Sequence, residues 1–132
     1  TDATDGASTK QTQAGLGTTF AGVGVSVGFG TSKTAGADGN PDTSKIDTRD
    51  VGLTYSVDDS TGLYVVLVDS EEKTGTNAGD KQSSTTFGLS YTIAPGVSTV
   101  FETASADYTD ATVGSSNSDG VSQTTAKITV SF

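Results

Sequence analysis

Alternation with a period of two runs through this chain from about residue 10 onward, and it constrains the fold more than any other feature. The segment "GVGVSVGFG" (Gly22 to Gly30) shows it: Val23, Val25, Val27 and Phe29 fall on one side, and Gly24, Ser26, Gly28 and Gly30 on the other. Successive side chains of a strand point to opposite faces, so the segment reads as a strand with one apolar and one nearly bare face. A phosphate loop is the competing reading of so many glycines, and it fails on spacing. A dinucleotide fingerprint needs a glycine where Val27 stands, and the Gly-Lys pair of a P-loop occurs nowhere.

Six further segments behave the same way. The alternation predicts strands at about 10–20, 23–33, 46–57, 63–73, 82–93, 97–108 and 120–132. These are roughly twice the usual strand length. Ala14, Leu16, Thr18 and Phe20 oppose Gln13, Gly15, Gly17 and Thr19; Val51, Leu53, Tyr55 and Val57 oppose Asp50, Gly52, Thr54 and Ser56. Phe87, Leu89, Tyr91 and Ile93 oppose Thr86, Gly88, Ser90 and Thr92, and Ala126, Ile128, Val130 and Phe132 oppose Thr125, Lys127, Thr129 and Ser131. No segment carries a helical pattern over three turns. "LYVVLV" (Leu63 to Val68) is apolar on both faces, so its second face must meet protein: a plug, a folded-in loop or a subunit. In the sixth strand Val97, Thr99 and Phe101 are placed on the apolar face, because the opposite choice puts Glu102 there.

The connections alternate too. Phe20 to Val23, Ser56 to Leu63 and Ile93 to Val97 are tight; Thr31 to Lys45, Glu71 to Ser84 and Tyr108 to Gly120 are long and polar. In a meander every tight turn then lies at one end and every long loop at the other. Tilted by about 40°, strands of this length cross an apolar band roughly 25 Å tall, with the small-residue face toward water. The sequence therefore predicts an all-β, antiparallel, up-and-down transmembrane β-barrel.

Composition narrows the function. Seven basic and 16 acidic residues give a net charge of −9, which excludes the basic stripe that nucleic acid requires. Cys, His, Met and Trp are absent, which removes disulfides, Cys/His zinc sites and His-dependent triads. Without His or a Ser-x-x-Lys motif no hydroxyl is a credible nucleophile, and catalysis is not expected. Hydrophobic content is only 32%, less than a packed water-soluble sandwich needs. No apolar run is long enough for a transmembrane helix, and the polar opening "TDATDGASTK" is no signal peptide.

The residues "VGLTYSV" (Val51 to Val57), "TTFGLSYTIAPGVSTVFETASADY" (Thr85 to Tyr108) and the ending "AKITVSF" resemble the C-terminal part of Gram-negative general porins of the alphaproteobacterial type. The resemblance runs from about Lys10 to the last residue. It implies a water-filled outer-membrane channel for passive diffusion of small hydrophilic solutes and ions, embedded in lipid and assembled as a trimer. It also implies that terminal Phe132, supported by Val130 and Ile128, is the signal read by the barrel-assembly machinery. Such barrels have sixteen strands. The seven strands here are then expected to be the last seven, with residues 1–9 a loop or disordered start and the preceding strands missing from this chain. An extracellular β-rich structural protein (a surface-layer, filament or adhesin subunit) is the alternative, and a complete eight-stranded barrel a second one.

Glu102, Lys127, Asp50, Gln13 and Gln123 are the candidates to line the lumen, where charged side chains bias ion passage; the acidic balance suggests a preference for cations. Phe20, Tyr55, Tyr64, Tyr91 and Phe101 lie near the tight-turn ends, where an interfacial aromatic girdle belongs. Asp38, Asn40 and Asp42 have the spacing of the first calcium-loop ligands, but Thr43 and Arg49 stand where Gly and Glu are needed. A looser calcium site among Asp38, Asp42, Glu71, Glu72, Asp107 and Asp110 competes with plainly solvated loop carboxylates. No cofactor is otherwise implied.

Overall fold

The computed structural model describes residues 8–36, 42–111 and 117–131. Seven strands follow one another: β1 (Ser8–Phe20), β2 (Val23–Ala35), β3 (Asp42–Ser56), β4 (Thr61–Thr74), β5 (Lys81–Ala94), β6 (Val97–Asp110) and β7 (Asn117–Val130). They form one antiparallel sheet in sequence order, and every strand pairs with its chain neighbours. The sheet is not closed: β1 and β7 are its two edges. The described residues contain no helix.

Register aligns the alternation of each strand with that of the next. Leu16 lies opposite Val27, Val27 opposite Val51 and Val51 opposite Leu67. In the next row Tyr55 opposes Leu63, Leu63 opposes Leu89, Leu89 opposes Phe101 and Phe101 opposes Ala126. Residues directly opposite in a ladder share a face, so the apolar side chains of all seven strands merge into one continuous surface. A slip of one residue would send an entire strand's set to the other side, which is why this register is strongly specified.

Nothing among the described residues covers that surface. Among the described residues no hydrophobic side chain is buried, and Phe20, Leu16 and Phe29 are 83%, 74% and 58% exposed. The accessible surface is 9354 Å², whereas a compact protein of 13.2 kDa would expose about 6,400 Å². The described residues form a sheet without a buried apolar core.

The turns explain the meander. Phe20 and Val23 are joined by Ala21 and Gly22, both at positive φ (49° and 79°), the type I′ geometry whose twist matches the flanking strands. Pro95 and Gly96 join β5 to β6, with Gly96 at φ 78°, as a type II turn requires at its second central position. Between β3 and β4, Asp58 Oδ1 accepts the backbone N–H groups of Ser60 and Thr61, both at 2.7 Å. This is an Asx turn that uses the side chain in place of a backbone carbonyl.

The long connections are shorter than the sequence suggested. Each runs over six residues (36–41, 75–80 and 111–116), because the strands continue well into the polar segments. Lys33 still pairs with Lys45, Gln82 with Tyr108 and Tyr108 with Asp119. Side chains there are polar on both faces and leave no alternation to detect, while the backbone ladder carries on.

Candidate functional site

The polar face is built from small residues and a few long ones. All five lumen candidates stand on it. Gln13 opposes Gly30, Asp50 opposes Gly28 and Val68, and Glu102 opposes Gly88 and Thr125. Gln123 opposes Ala104 and Lys127 opposes Val100. They fall into two groups: Glu102, Lys127 and Gln123 on β6 and β7, and Asp50 and Gln13 on β3 and β1, with β4 and β5 between them.

Glycines on this face are seats for their cross-strand neighbours. A Cβ at Gly28 would run into the carboxylate of Asp50, and a Cβ at Gly88 would run into the ring of Tyr64. The Tyr64 side chain therefore lies flat across β5. From there its hydroxyl donates to Glu102 Oε2 on β6 at 2.5 Å. Bare positions next to aromatic and acidic ones are what let long side chains lie along the wall instead of standing out from it.

Tyr64 corrects the girdle expected from the sequence. Phe20, Tyr55, Tyr91 and Phe101 share the apolar face near the tight-turn ends, but Tyr64 pairs with Thr54 and Gly88 on the polar face. "LYVVLV" splits in the same way. Leu63, Val65 and Leu67 join the apolar surface, while Tyr64, Val66 and Val68 lie beside Gly88, Gly52 and Asp50. Among the described residues no plug or folded-in loop covers the second set. Val97, Thr99 and Phe101 take the apolar face as expected, opposite Val130, Ile128 and Ala126. The Thr99 hydroxyl is not left bare there, since it donates to the Lys127 carbonyl at 3.1 Å.

The apolar surface ends sharply on the long-loop side. Moving away from the tight turns, the first charges on that face are Lys10, Lys33, Arg49, Asp69, Lys81 and Asp107 on β1 to β6. Ten residues precede them on β1, β2 and β6, seven on β3, eight on β4 and thirteen on β5; ten residues at the 40° tilt of a barrel strand span about 25 Å. Beyond this margin the charges pair: Lys45 Nζ to Asp47 Oδ2 at 3.0 Å and Lys73 Nζ to Glu71 Oε2 at 2.7 Å. Lys45 and then Thr31 hold the Asp47 carboxyl below the usual aspartate range; Lys73 does the same for Glu71.

Among the described residues the calcium candidates do not gather into one set, although Glu71 and Asp107 border the same depression. Glu71 and Glu72 are successive residues of β4 and point to opposite faces, and Glu71 is held by Lys73. Asp38 and the assembly residue Phe132 lie outside the described residues, and Asp42 opens β3. Among the described residues no three acidic side chains cluster as a metal site would need. Val130 and Ile128 are on the apolar face, opposite Val97 and Thr99.

The sequence offered no sign of Asp80. It is nearly buried, accepts the Tyr108 hydroxyl, and takes the Ala111 backbone N–H at 2.8 Å. Its own backbone carbonyl accepts the Glu72 N–H at 2.9 Å. The 75–80 connection is thereby clasped to the end of β6. Asp80 draws the Tyr108 phenol pKa up to about 12. No protein-family model, curated protein or solved structure significantly matches this chain.

Proposed function

We propose that this sheet is part of the wall of an outer-membrane porin, through which small hydrophilic solutes and ions diffuse passively. One observation carries the reading: a continuous apolar surface spans all seven strands with no layer of the described residues over it, and a small-residue polar surface lies behind it. In water such a surface would drive association, and in a sandwich it would be buried between two sheets. The described strands form a single sheet. Against acyl chains the same surface is at rest, with the Thr99 hydroxyl turned to the Lys127 carbonyl and the charges of β1 to β6 confined to one rim.

The proposed mechanism needs no moving part. Water fills the bore, Gly, Ser and Thr keep the wall thin, and Glu102, Asp50 and Lys127 set the local field that favours one sign of ion. The free edges of β1 and β7 call for further strands of the same barrel, and sister subunits arranged as a trimer complete the assembly. Phe132, with Val130 and Ile128, serves as the assembly signal. Outer-membrane lipid is the permanent partner, and the location is the outer membrane of a Gram-negative cell.

The test is reconstitution of the full-length protein into a planar bilayer. Stepwise, ohmic conductance is expected, with partition into the detergent phase. Protein that stays dispersed without detergent and leaves the bilayer insulating would overturn the reading in favour of an extracellular structural role.

A further inference from the structure

Tyr64 and Glu102 make a surface that a merely wet wall does not need. They stand in one row across β4, β5 and β6, with Tyr64 opposite Gly88 and Gly88 opposite Glu102. The ring covers Gly88, which is buried beneath it, and the hydroxyl donates to Glu102 Oε2 at 2.5 Å. One ring face therefore rests on the backbone of β5 and the other is turned outward. A phenol is a neutral donor, so the carboxylate keeps its full charge. Among the described residues no cation is paired with Glu102 and nothing donates to its second oxygen, Oε1. Lys127, the only basic residue on this face, stands opposite Val100, one row nearer the tight turns.

The next row away from the turns is Val66, Thr86 and Ala104, and the one after it Val68, Ser84 and Ala106. An aliphatic strip thus begins directly beside the ring and the carboxylate. The field around it has one sign. On this face the described strands carry Asp50, Glu72, Glu102, Asp110 and Asp119 against Lys127, a net charge of −4. An electron-rich ring face attracts a cation, and a carboxylate oxygen accepts its N–H groups. Aliphatic side chains next to them take an apolar body out of water. A neutral solute of the same shape gains only the last of these terms.

We propose that Tyr64, Glu102, Val66 and Ala104 form a wall site for organic ammonium ions. The cationic head lies over the Tyr64 ring at Glu102, and the apolar body lies along Val66, Ala104 and the strip beyond. The inference rests on the porin reading in taking these ions for solutes of the bore. It adds to that reading a solute class and the residues that select it.

Titration of the full-length protein in zwitterionic micelles with 2-phenylethylammonium chloride tests the site, followed by the methyl NMR signals of Val66 and Ala104. Conductance of the same preparation in planar bilayers tests the porin reading separately. A saturable shift at millimolar concentrations is expected, with 2-phenylethanol, the neutral isostere, bound about fivefold more weakly. Glu102→Gln should weaken binding of the ammonium roughly fivefold, and Tyr64→Leu about threefold. Asp119→Asn removes a carboxylate from the same face, three rows and about 20 Å away along the strands. It should change the affinity by less than about twofold, since that separation exceeds the Debye length of physiological salt. Equal losses in Glu102→Gln and Asp119→Asn would reduce the effect to the general field of the face and overturn the site. Equal affinity for the ammonium and the alcohol would make it apolar adsorption, and would overturn it too. A protein that conducts but shows no saturable shift would overturn the site and leave the porin reading intact. One that binds the ion selectively but leaves the bilayer insulating would keep the site and overturn that reading. Circular dichroism of each variant separates lost binding from lost folding.

Discussion

At the residue scale, Gly88 matters for what it lets Tyr64 do. A methyl group there meets the end of the Tyr64 ring, which is free to swing away, so the expected loss is the hydrogen bond to Glu102 rather than the fold. A hydrogen bond to a charged acceptor contributes about 1.5 kcal/mol. Exchanging glycine for alanine in a strand returns about 0.5–1 kcal/mol. G88A should therefore destabilise by a few tenths to about 1 kcal/mol in the parent. In a Tyr64→Ala background no ring is left to displace and no bond to lose, so the sign should reverse and G88A should stabilise. Guanidinium unfolding of the four proteins in micelles gives the double-mutant cycle. Additive effects would show that glycine and tyrosine are uncoupled. In the proposed channel, Glu102→Gln should lower the cation-to-anion permeability ratio by removing the carboxylate, whereas Tyr64→Phe and G88A should not lower it, because they free the same carboxylate and leave its charge in place.

At the element scale, the two ends of the hairpins respond to opposite ends of the pH range. In the β3–β4 turn, the Ser60 N–H, then Thr61, hold the Asp58 carboxyl below the usual aspartate range. A depressed folded value contributes stability above the ordinary aspartate value of about 3.9 and loses it as the pH falls through the folded value. Amide exchange at Ser60 and Thr61 should accelerate in that acid window, and Asp58→Ala should show fast exchange at every pH. The clasp on the 75–80 connection works the other way. Tyr108, raised to about 12 by Asp80, contributes stability that is complete below about pH 10 and fades as the pH climbs through 12. Exchange at Gly79 and Ala111 should rise over that interval in the parent, while Tyr108→Phe should already be fast below it. Asp80→Ala strands the Tyr108 hydroxyl and the Ala111 N–H, and should cost about 2 kcal/mol.

The elements themselves were largely legible in the sequence, because alternation is local and seven segments repeat it. The sixth strand could be assigned although its pattern is weak, since only one choice keeps Glu102 off the apolar face. What stayed hidden depends on neighbours. "LYVVLV" offers an apolar residue at every position, so nothing within it says that Tyr64 leaves the aromatic girdle; register against Thr54 and Gly88 decides that. Gly28 and Gly88 look like any strand glycine until Asp50 and Tyr64 are seen lying over them. The strand ends beyond Lys33 and Gln82 are polar on both sides, and Asp80 is one carboxylate among many until the fold closes it against Tyr108.

At the scale of the whole molecule, the decisive feature is the pair of free edges. Every second N–H and C=O of β1 and of β7 points away from the sheet. Within the apolar band that is about ten groups on each edge, each costing several kcal/mol if left bare in hydrocarbon. The sum, some tens of kcal/mol, exceeds the 5–15 kcal/mol by which a folded protein is stable. An open seven-stranded sheet therefore cannot persist in a bilayer, and the membrane setting proposed above requires the two edges to be paired. Hydrogen exchange of the full-length protein in lipid reads this directly. Amides of β1 and β7 that turn outward from β2 and β6 should exchange as slowly as those of the central strands β3 to β5. If every second amide along either edge instead exchanged at the rate of a turn, the edges would be open, water would have to reach them, and a lipid-embedded wall would be the wrong setting for this sheet.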